Sequence, residues 1–322
     1  MDSPPEWSGA VRVTRRDEVV AEACSGMSNR AAGDLCDAVT RFQAGSVSKQ
    51  FVAAAAMLLV ERNELALHAP IRRWLPQLTP AWREITPHQL LTHTSGLGHW
   101  NNLAGVKIES ALTEDELVNL AARSPLMSPP GQRFRYSGLG YVLAARLVAA
   151  AAAAPYDAFA REQLLARAGL HETTSGLCPV GQPGVAYGYH TSAEVEVNPH
   201  LSRLFGTGDL WTTVGDLSLW SASLHAATLL NTSSVTTMMT RHVPVPAPEA
   251  GAAHPIITTG YGYGTRVGTV LGHAALLHTG DNPGYSSLVA WLPSTATTVV
   301  VLTNDDGRDL AEPLNQIVFP VL

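Results

Sequence analysis

Lysine is scarce in this chain: Lys49 and Lys107 stand against nineteen arginines in 322 residues. Charged residues make up 15%, the net charge is −6, and no basic cluster occurs. Such a surface has no stripe to neutralise phosphates, which excludes a nucleic-acid partner. The apolar run at residues 147–155 is mostly alanine, and the longest such run, residues 51–60, has ten residues. Both fall well short of the ~18 residues of a membrane span, so no membrane partner is expected. The start, MDSPPEWSGAVRV, has neither a basic n-region nor an apolar h-region, and the expected location is the cytoplasm. Cys24, Cys36 and Cys178 are an odd number without metal-ligand spacing. They read as reduced thiols, with a Cys24–Cys36 bridge left open. The twelve histidines form no H-E-x-x-H, and no P-loop or G-x-G-x-x-G opens a helix. Neither a metal nor another cofactor is implied.

What the chain does have is an apolar content of 46%, ample for a packed core. Gly9 to Ala23 alternates apolar and polar residues on either side of a charged turn, Arg15 to Glu18, which predicts a hairpin. An alanine-rich helix follows from Ser46, and then proline-punctuated short helices. Further helices are expected at Leu139 to Ala154, at Tyr156 to Leu170 with Gly169 as C-terminal cap, at Val214 to Ala227 and at Ser233 to Arg241. VPVPAPEAGAAHP reads as a loop. From Ile256, three stretches read as successive antiparallel strands, and a helix from Arg308 to Val318 closes the chain. The expected fold is α/β. One antiparallel sheet, flanked by helices, is built from both chain ends (1–65 and 246–322), with an all-helical domain (66–245) inserted between them.

One lysine stands out. Lys49 lies three residues after Ser46 in AGSVSKQFVAAAAMLL, the one Ser-x-x-Lys of the chain. With so few lysines, chance yields only about 0.14 such matches. The plain alternative is a capped helix with a snorkelling lysine. The chemical reading is a nucleophile with its base. At a helix's first turn a serine oxygen meets unsatisfied N–H groups, and an i+3 lysine shares its face. A lysine desolvated by apolar neighbours has a depressed pKa and can act as a base. A second element, RFRYSGLGY, places Tyr136 in the loop before the next alanine-rich helix; alone it reads as a tyrosine packed at a seam. A third, LLHTGDNPGYSS, puts His278, Thr279 and Gly280 at a strand end, where glycine admits a close backbone approach.

Together and in this order, these elements resemble the penicillin-recognising enzymes, with their S-x-x-K, central S-D-N-type and K-T-G elements. The resemblance is closest to the class C β-lactamases and the related DD-peptidases and esterases, in which His-Thr-Gly often replaces Lys-Thr-Gly. ITPHQLLTHTSGL, YSGLGYVLAARLV, GTGDLWTTVGDLSLW and HTGDNPGY carry it further, so that it spans the chain from Val11 onward. It implies a β-lactamase/transpeptidase-like fold with Ser46 as acylated nucleophile. Lys49 and Tyr136 would share the proton, Tyr136 being the general base. The backbone N–H groups of Ser46 and Asp281 would form the oxyanion hole. His278, Thr279 and Gly280, with Ser137 and Gly138, would contact substrate or support Tyr136. His93 matches a position taken as structural. Trp100, Trp211 and Tyr285 are candidates for the pocket wall or for the core.

Two departures bear on substrate. The central element reads Tyr136-Ser137-Gly138, without the asparagine that contacts an acylated substrate's amide in β-lactamases. This predicts slow β-lactam turnover, which Gly138→Asn would raise. The N-terminal helix that relatives place over one sheet face does not show in the sequence, which predicts a homodimer through the first hairpin and the C-terminal helix. The implied activity is hydrolysis of a small-molecule ester or amide through an acyl-Ser46 intermediate. The alternatives are an acyltransferase or amide synthase of the same fold in a natural-product pathway, a catalytically dead homologue, and a true β-lactamase or DD-peptidase. The intact Ser46, Lys49 and Tyr136 argue against a dead homologue.

Overall fold

A computed structural model describes residues 7–100, 103–107, 110–191, 193–195, 200–246 and 254–322. The first hairpin forms as expected: β1 (Gly9–Arg15) and β2 (Glu18–Ser25) flank Arg16 and Asp17, both at positive φ. Small ribbons pair β3 (Met27–Asn29) with β4 (Asp34–Leu35), and β5 (Phe42–Gln43) and β6 (Thr174–Ser175) with β9 (Leu210–Thr212). A last one pairs β7 (Gly188–His190) with β8 (Ala193–Val195). The main sheet then adds β10 (Val243–Pro244), β11 (Ile256–Tyr261), β12 (Arg266–Val270), β13 (His273–Asn282), β14 (Tyr285–Leu292) and β15 (Thr297–Thr303). Its order is β10-β11-β12-β13-β14-β15-β1-β2, all antiparallel, so both chain ends share one sheet as predicted. VPVPAPEAGAAHP, expected as a loop, thus begins with β10; its residues 247–253 lie outside the described ones.

The period-two alternation sorts the sheet's side chains onto two faces. Val299 and Val301 of β15, Leu288 and Ala290 of β14, and Val11 and Val13 of β1 form one cluster with Leu314 and Val318 of the C-terminal segment. That segment runs through α9 (Ala311–Pro313), a π-helical turn and a 3-10 turn, beginning three residues later than expected. Trp7 packs there too, its indole donating to Gln316 at 3.1 Å. The opposite face, with Val300, Leu302 and Val289, belongs to the larger cluster.

That larger cluster is built around α1 (Ser48–Glu61), in which Ser48 through Leu59 are all buried. A helix apolar all round has no face for water and sits inside the molecule. α2 (Pro87–Leu91), α3 (Glu114–Ala121), α4 (Gly138–Ala152), α5 (Tyr156–Ala160) and α6 (Ala166–Ala168) follow, the last two joined by a π-helical turn and closed by Gly169 at φ +71°. α7 (Val214–His225) and α8 (Thr232–Met239) complete the set. The segment 66–245 is not all helical, since it holds β6 to β10. α7 within it buries Val214, Leu217 and Trp220 and packs on β1, β14 and β15. One apolar cluster therefore joins the sheet's inner face to the helices. Among the described residues the three cysteines are unpaired, and no single helix is long and apolar enough to cross a membrane.

Candidate active site

Ser46 occupies a one-turn 3-10 helix, Gly45–Val47, immediately ahead of α1. The turn is pressed onto β13. Gly45 has φ +52°, and a Cβ there would lie 3.0 Å from the Asp281 backbone nitrogen. A Cβ on Gly280 would come within 2.0 Å of the Ala44 carbonyl, so both glycines are required for the approach. Ser287 completes the clamp, its hydroxyl donating to the same Ala44 carbonyl at 2.8 Å.

One helical turn on, Lys49 is fully buried, and its Nζ donates to Ser46 Oγ at 2.9 Å. This is the i, i+3 contact read from the sequence. Lys49 Nζ also lies 4.9 Å from the centroid of the half-buried Tyr136 ring. Burial pulls the Lys49 pKa down, against the opposing pull of the Tyr136 charge and hydrogen bond. For Tyr136, burial alone would raise the pKa. The charges of Lys49 and then Arg266, with hydrogen bonds to Ser46 and Lys49, bring it below the ordinary tyrosine value. Lysine and phenol thus lie together beside the serine oxygen, each held below its ordinary pKa.

The loop carrying Tyr136 is fixed by His93, which has φ +58° and is 1% exposed. The Arg135 N–H donates to the His93 carbonyl at 2.8 Å, and the Ser137 N–H donates to His93 Nδ1 at 3.0 Å. Burial, with Lys49, His278 and Arg266 adding, holds the His93 pKa well below its usual value, so the imidazole is neutral. Its expected structural role is the one seen.

Ser46, Lys49 and Tyr136 open on a cavity of about 540 Å3, with Trp100, Thr279, Asp281 and Asn282 among its walls. Of the residues expected to contact substrate or support Tyr136, Thr279 lines this cavity, while His278, Ser137, Gly138 and Gly280 are not among its walls. His278 is fully buried, and its Nδ1 faces the Thr279 carbonyl at 2.7 Å and its Nε2 the Tyr261 hydroxyl at 2.9 Å. Ser137 is also fully buried. It caps α4, accepting from the Gly140 N–H at 2.9 Å and donating to the Gly98 carbonyl at 2.8 Å. Gly280 serves the backbone approach described above rather than the cavity wall. Gly138 leaves no empty place, because a Cβ there would sit 2.7 Å from Trp100 Cδ1 and 3.2 Å from His99 Nε2. Trp211 and Tyr285 are core residues, with their polar atoms bonded to Ser202 and to the Ala186 carbonyl.

Arg266, the first residue of β12, is a wall residue that the sequence reading missed. Its guanidinium carbon lies 5.2 Å from the Tyr136 ring centroid. Nothing local marks it, since the contact spans two distant segments. Among the described residues three buried donors on this wall have no protein acceptor: Arg266 Nε, Trp100 Nε1 and Asn282 Nδ2. At the rim, Asp281 is raised above the usual carboxylate range by burial and then by Asp306. No group of three or more histidine, cysteine or acidic residues is arranged to hold a metal ion among the described residues.

Comparison with known proteins agrees with this geometry. Residues 7–319 match the Beta-lactamase family, and the chain belongs to it. PbpX of Bacillus subtilis, named as a penicillin-binding protein, is 25% identical over 320 residues, covering 98% of this chain and 75% of its own. Esterase EstB of Burkholderia gladioli is 38% identical over 146 residues, which covers 40% of this chain and 37% of the esterase. Among solved structures, the D-amino acid amidase of Ochrobactrum anthropi SV3 superposes with a TM-score of 0.83 at 23% identity, over 97% of this chain and 95% of its own. The protein is an enzyme of the serine-hydrolase type, with the β-lactamase/transpeptidase fold.

Proposed function

We propose that Ser46 is acylated by a small ester or amide. The observation that carries this is the 2.9 Å bond from a fully buried lysine to the serine oxygen. Ser46 Oγ attacks the acyl carbon while its proton passes to the Tyr136 oxygen, Lys49 holding the bond network. The backbone N–H groups of Ser46 and Asp281 receive the oxyanion, a role supported by the approach of the Asp281 nitrogen to the serine turn. The C–O or C–N bond then breaks, and the departing alcohol or amine takes the proton from Tyr136. Water enters by the reverse route, releasing the acid and restoring Ser46.

Ester and amide rank ahead of β-lactam because Trp100 and His99 fill the space beside Gly138. No asparagine side chain is present there to meet a β-lactam's amide. The likeness to an esterase over part of the chain points the same way. A bound alcohol or amine in place of water would make the enzyme an acyltransferase, by the same first step. Mapping a fluorophosphonate adduct tests the reading. Modification of Ser46 is expected, and modification of another residue alone would overturn it.

A homodimer through β2 and the C-terminal segment belongs to this reading. Val19 is 54% exposed on the edge strand and Phe319 is 64% exposed on that segment, two apolar side chains facing water. A monomer in light scattering at micromolar concentration would contradict it.

A further inference from the structure

We propose that Arg266 is a positioning residue of this reaction: its guanidinium, held against the Tyr136 ring, supplies positive charge that keeps the phenol oxygen ready to accept the Ser46 proton. This rests on the acyl-Ser46 reading above. Two cations meet one phenol ring, with Lys49 Nζ at 4.9 Å and the Arg266 guanidinium carbon at 5.2 Å from its centroid. Arg266 makes no ion pair among the described residues, and its buried Nε has no acceptor. A guanidinium partly removed from water and left unpaired is unfavourable unless negative charge develops nearby. The Tyr136 oxygen is where such charge develops, and the Arg266 charge favours it second only to Lys49.

The neighbouring strand supplies no substitute. His278 of β13 points Nδ1 at the Thr279 carbonyl, which can only accept, so Nδ1 carries the hydrogen. Nε2 is then free to accept from the Tyr261 hydroxyl. That tautomer is neutral, and burial, followed by the charges of Arg266 and Lys49, keeps it so. The remaining titratable groups about Tyr136 are His93 at 4.4 Å and His99 at 6.2 Å between ring centroids, His278 at 6.4 Å, and the phenols of Tyr141 and Tyr261. Asp281 and Asp306 share the cavity wall. Beyond Lys49, Arg266 is thus the permanent cation on this ring.

The test is the pH dependence of Ser46 modification by a neutral fluorophosphonate in the wild type, Arg266→Gln and Arg266→Lys. An opposite charge at this range shifts a titration by one to three pH units. The acid limb should therefore move up by about one unit or more in Arg266→Gln and largely return in Arg266→Lys. Arg266→Met, which keeps the apolar stem, should show the same shift if the glutamine variant does not fold. An unmoved limb in the folded neutral variant overturns the assignment. So does a defect confined to a raised KM for a carboxylate-bearing aryl ester, which would make Arg266 a substrate-anion contact instead. Failure of the wild type to label at Ser46 would instead strike the acyl-enzyme reading itself.

Discussion

His93 bonds the main chain on both sides of Tyr136, through its carbonyl to the Arg135 N–H at 2.8 Å and through Nδ1 to the Ser137 N–H at 3.0 Å. Tyr136, the proposed base, is therefore placed by its backbone and not only by its hydroxyl contacts. Replacing His93 by alanine leaves the buried Ser137 N–H without its acceptor, a loss of about 1–3 kcal/mol. We expect His93→Ala to lower the melting temperature and to reduce kcat more than it raises KM. A variant with wild-type kcat would show that Tyr136 needs no such support.

In the proposed mechanism Lys49 and Tyr136 act on one proton, so their losses should not multiply. Each of Lys49→Ala and Tyr136→Phe is expected to remove ~10²-fold or more of the turnover, the usual general-base contribution. The double variant should be scarcely worse than either single one. Turnover of an aryl ester measures this, and fully multiplicative losses would assign the two residues to separate steps.

Gly138→Asn was expected from sequence to improve β-lactam acylation, but the structure reverses that expectation. The new Cβ would meet Trp100 at 2.7 Å, an overpacking that typically costs 1–3 kcal/mol. The single variant should melt lower and gain no nitrocefin turnover. Pairing it with Trp100→Ala should remove the clash and raise turnover. A gain in the single variant would mean that the indole moves aside freely.

Two histidines are tied to the stability of the fold at low pH. Burial lowers the His225 pKa to about 4, and lowers that of His88 to about 4 with His242 and His68 adding. In the unfolded chain both titrate near the ordinary value of about 6.5. Between those limits the unfolded state binds more protons, so these groups' contribution is complete above about pH 6.5 and is lost as pH falls toward about 4. Buried carboxylates such as Asp209, raised by burial, act in the opposite sense. The informative quantity is therefore the difference between the wild type and His225→Gln in urea midpoint. That difference should vary with pH in this window and be flat above it, and no variation would refute the assignment.

Much of the fold was legible because its signals are local. The apolar runs of β14, β15 and α1 each reveal burial within a single segment. Ser46 and Lys49 were legible for the same reason, since their contact lies within one helical turn. Arg266 was not, because only the pairing of β12 into the sheet carries it to a ring 130 residues earlier in the chain. Ser137 and His278 were found but given the wrong surroundings, one capping a helix and the other bonded to Tyr261. Trp100 could be named as an aromatic near the motifs, yet its place over Gly138 depends on how two loops fold together.

The central claim is a covalent bond from Ser46 to the substrate's acyl group. Intact-mass spectrometry of the protein mixed rapidly with an activated aryl ester tests it most directly. A mass increase of one acyl group, mapped to Ser46 and absent in Ser46→Ala, is the predicted result. Turnover without any adduct, or an adduct that survives in Ser46→Ala, would contradict it.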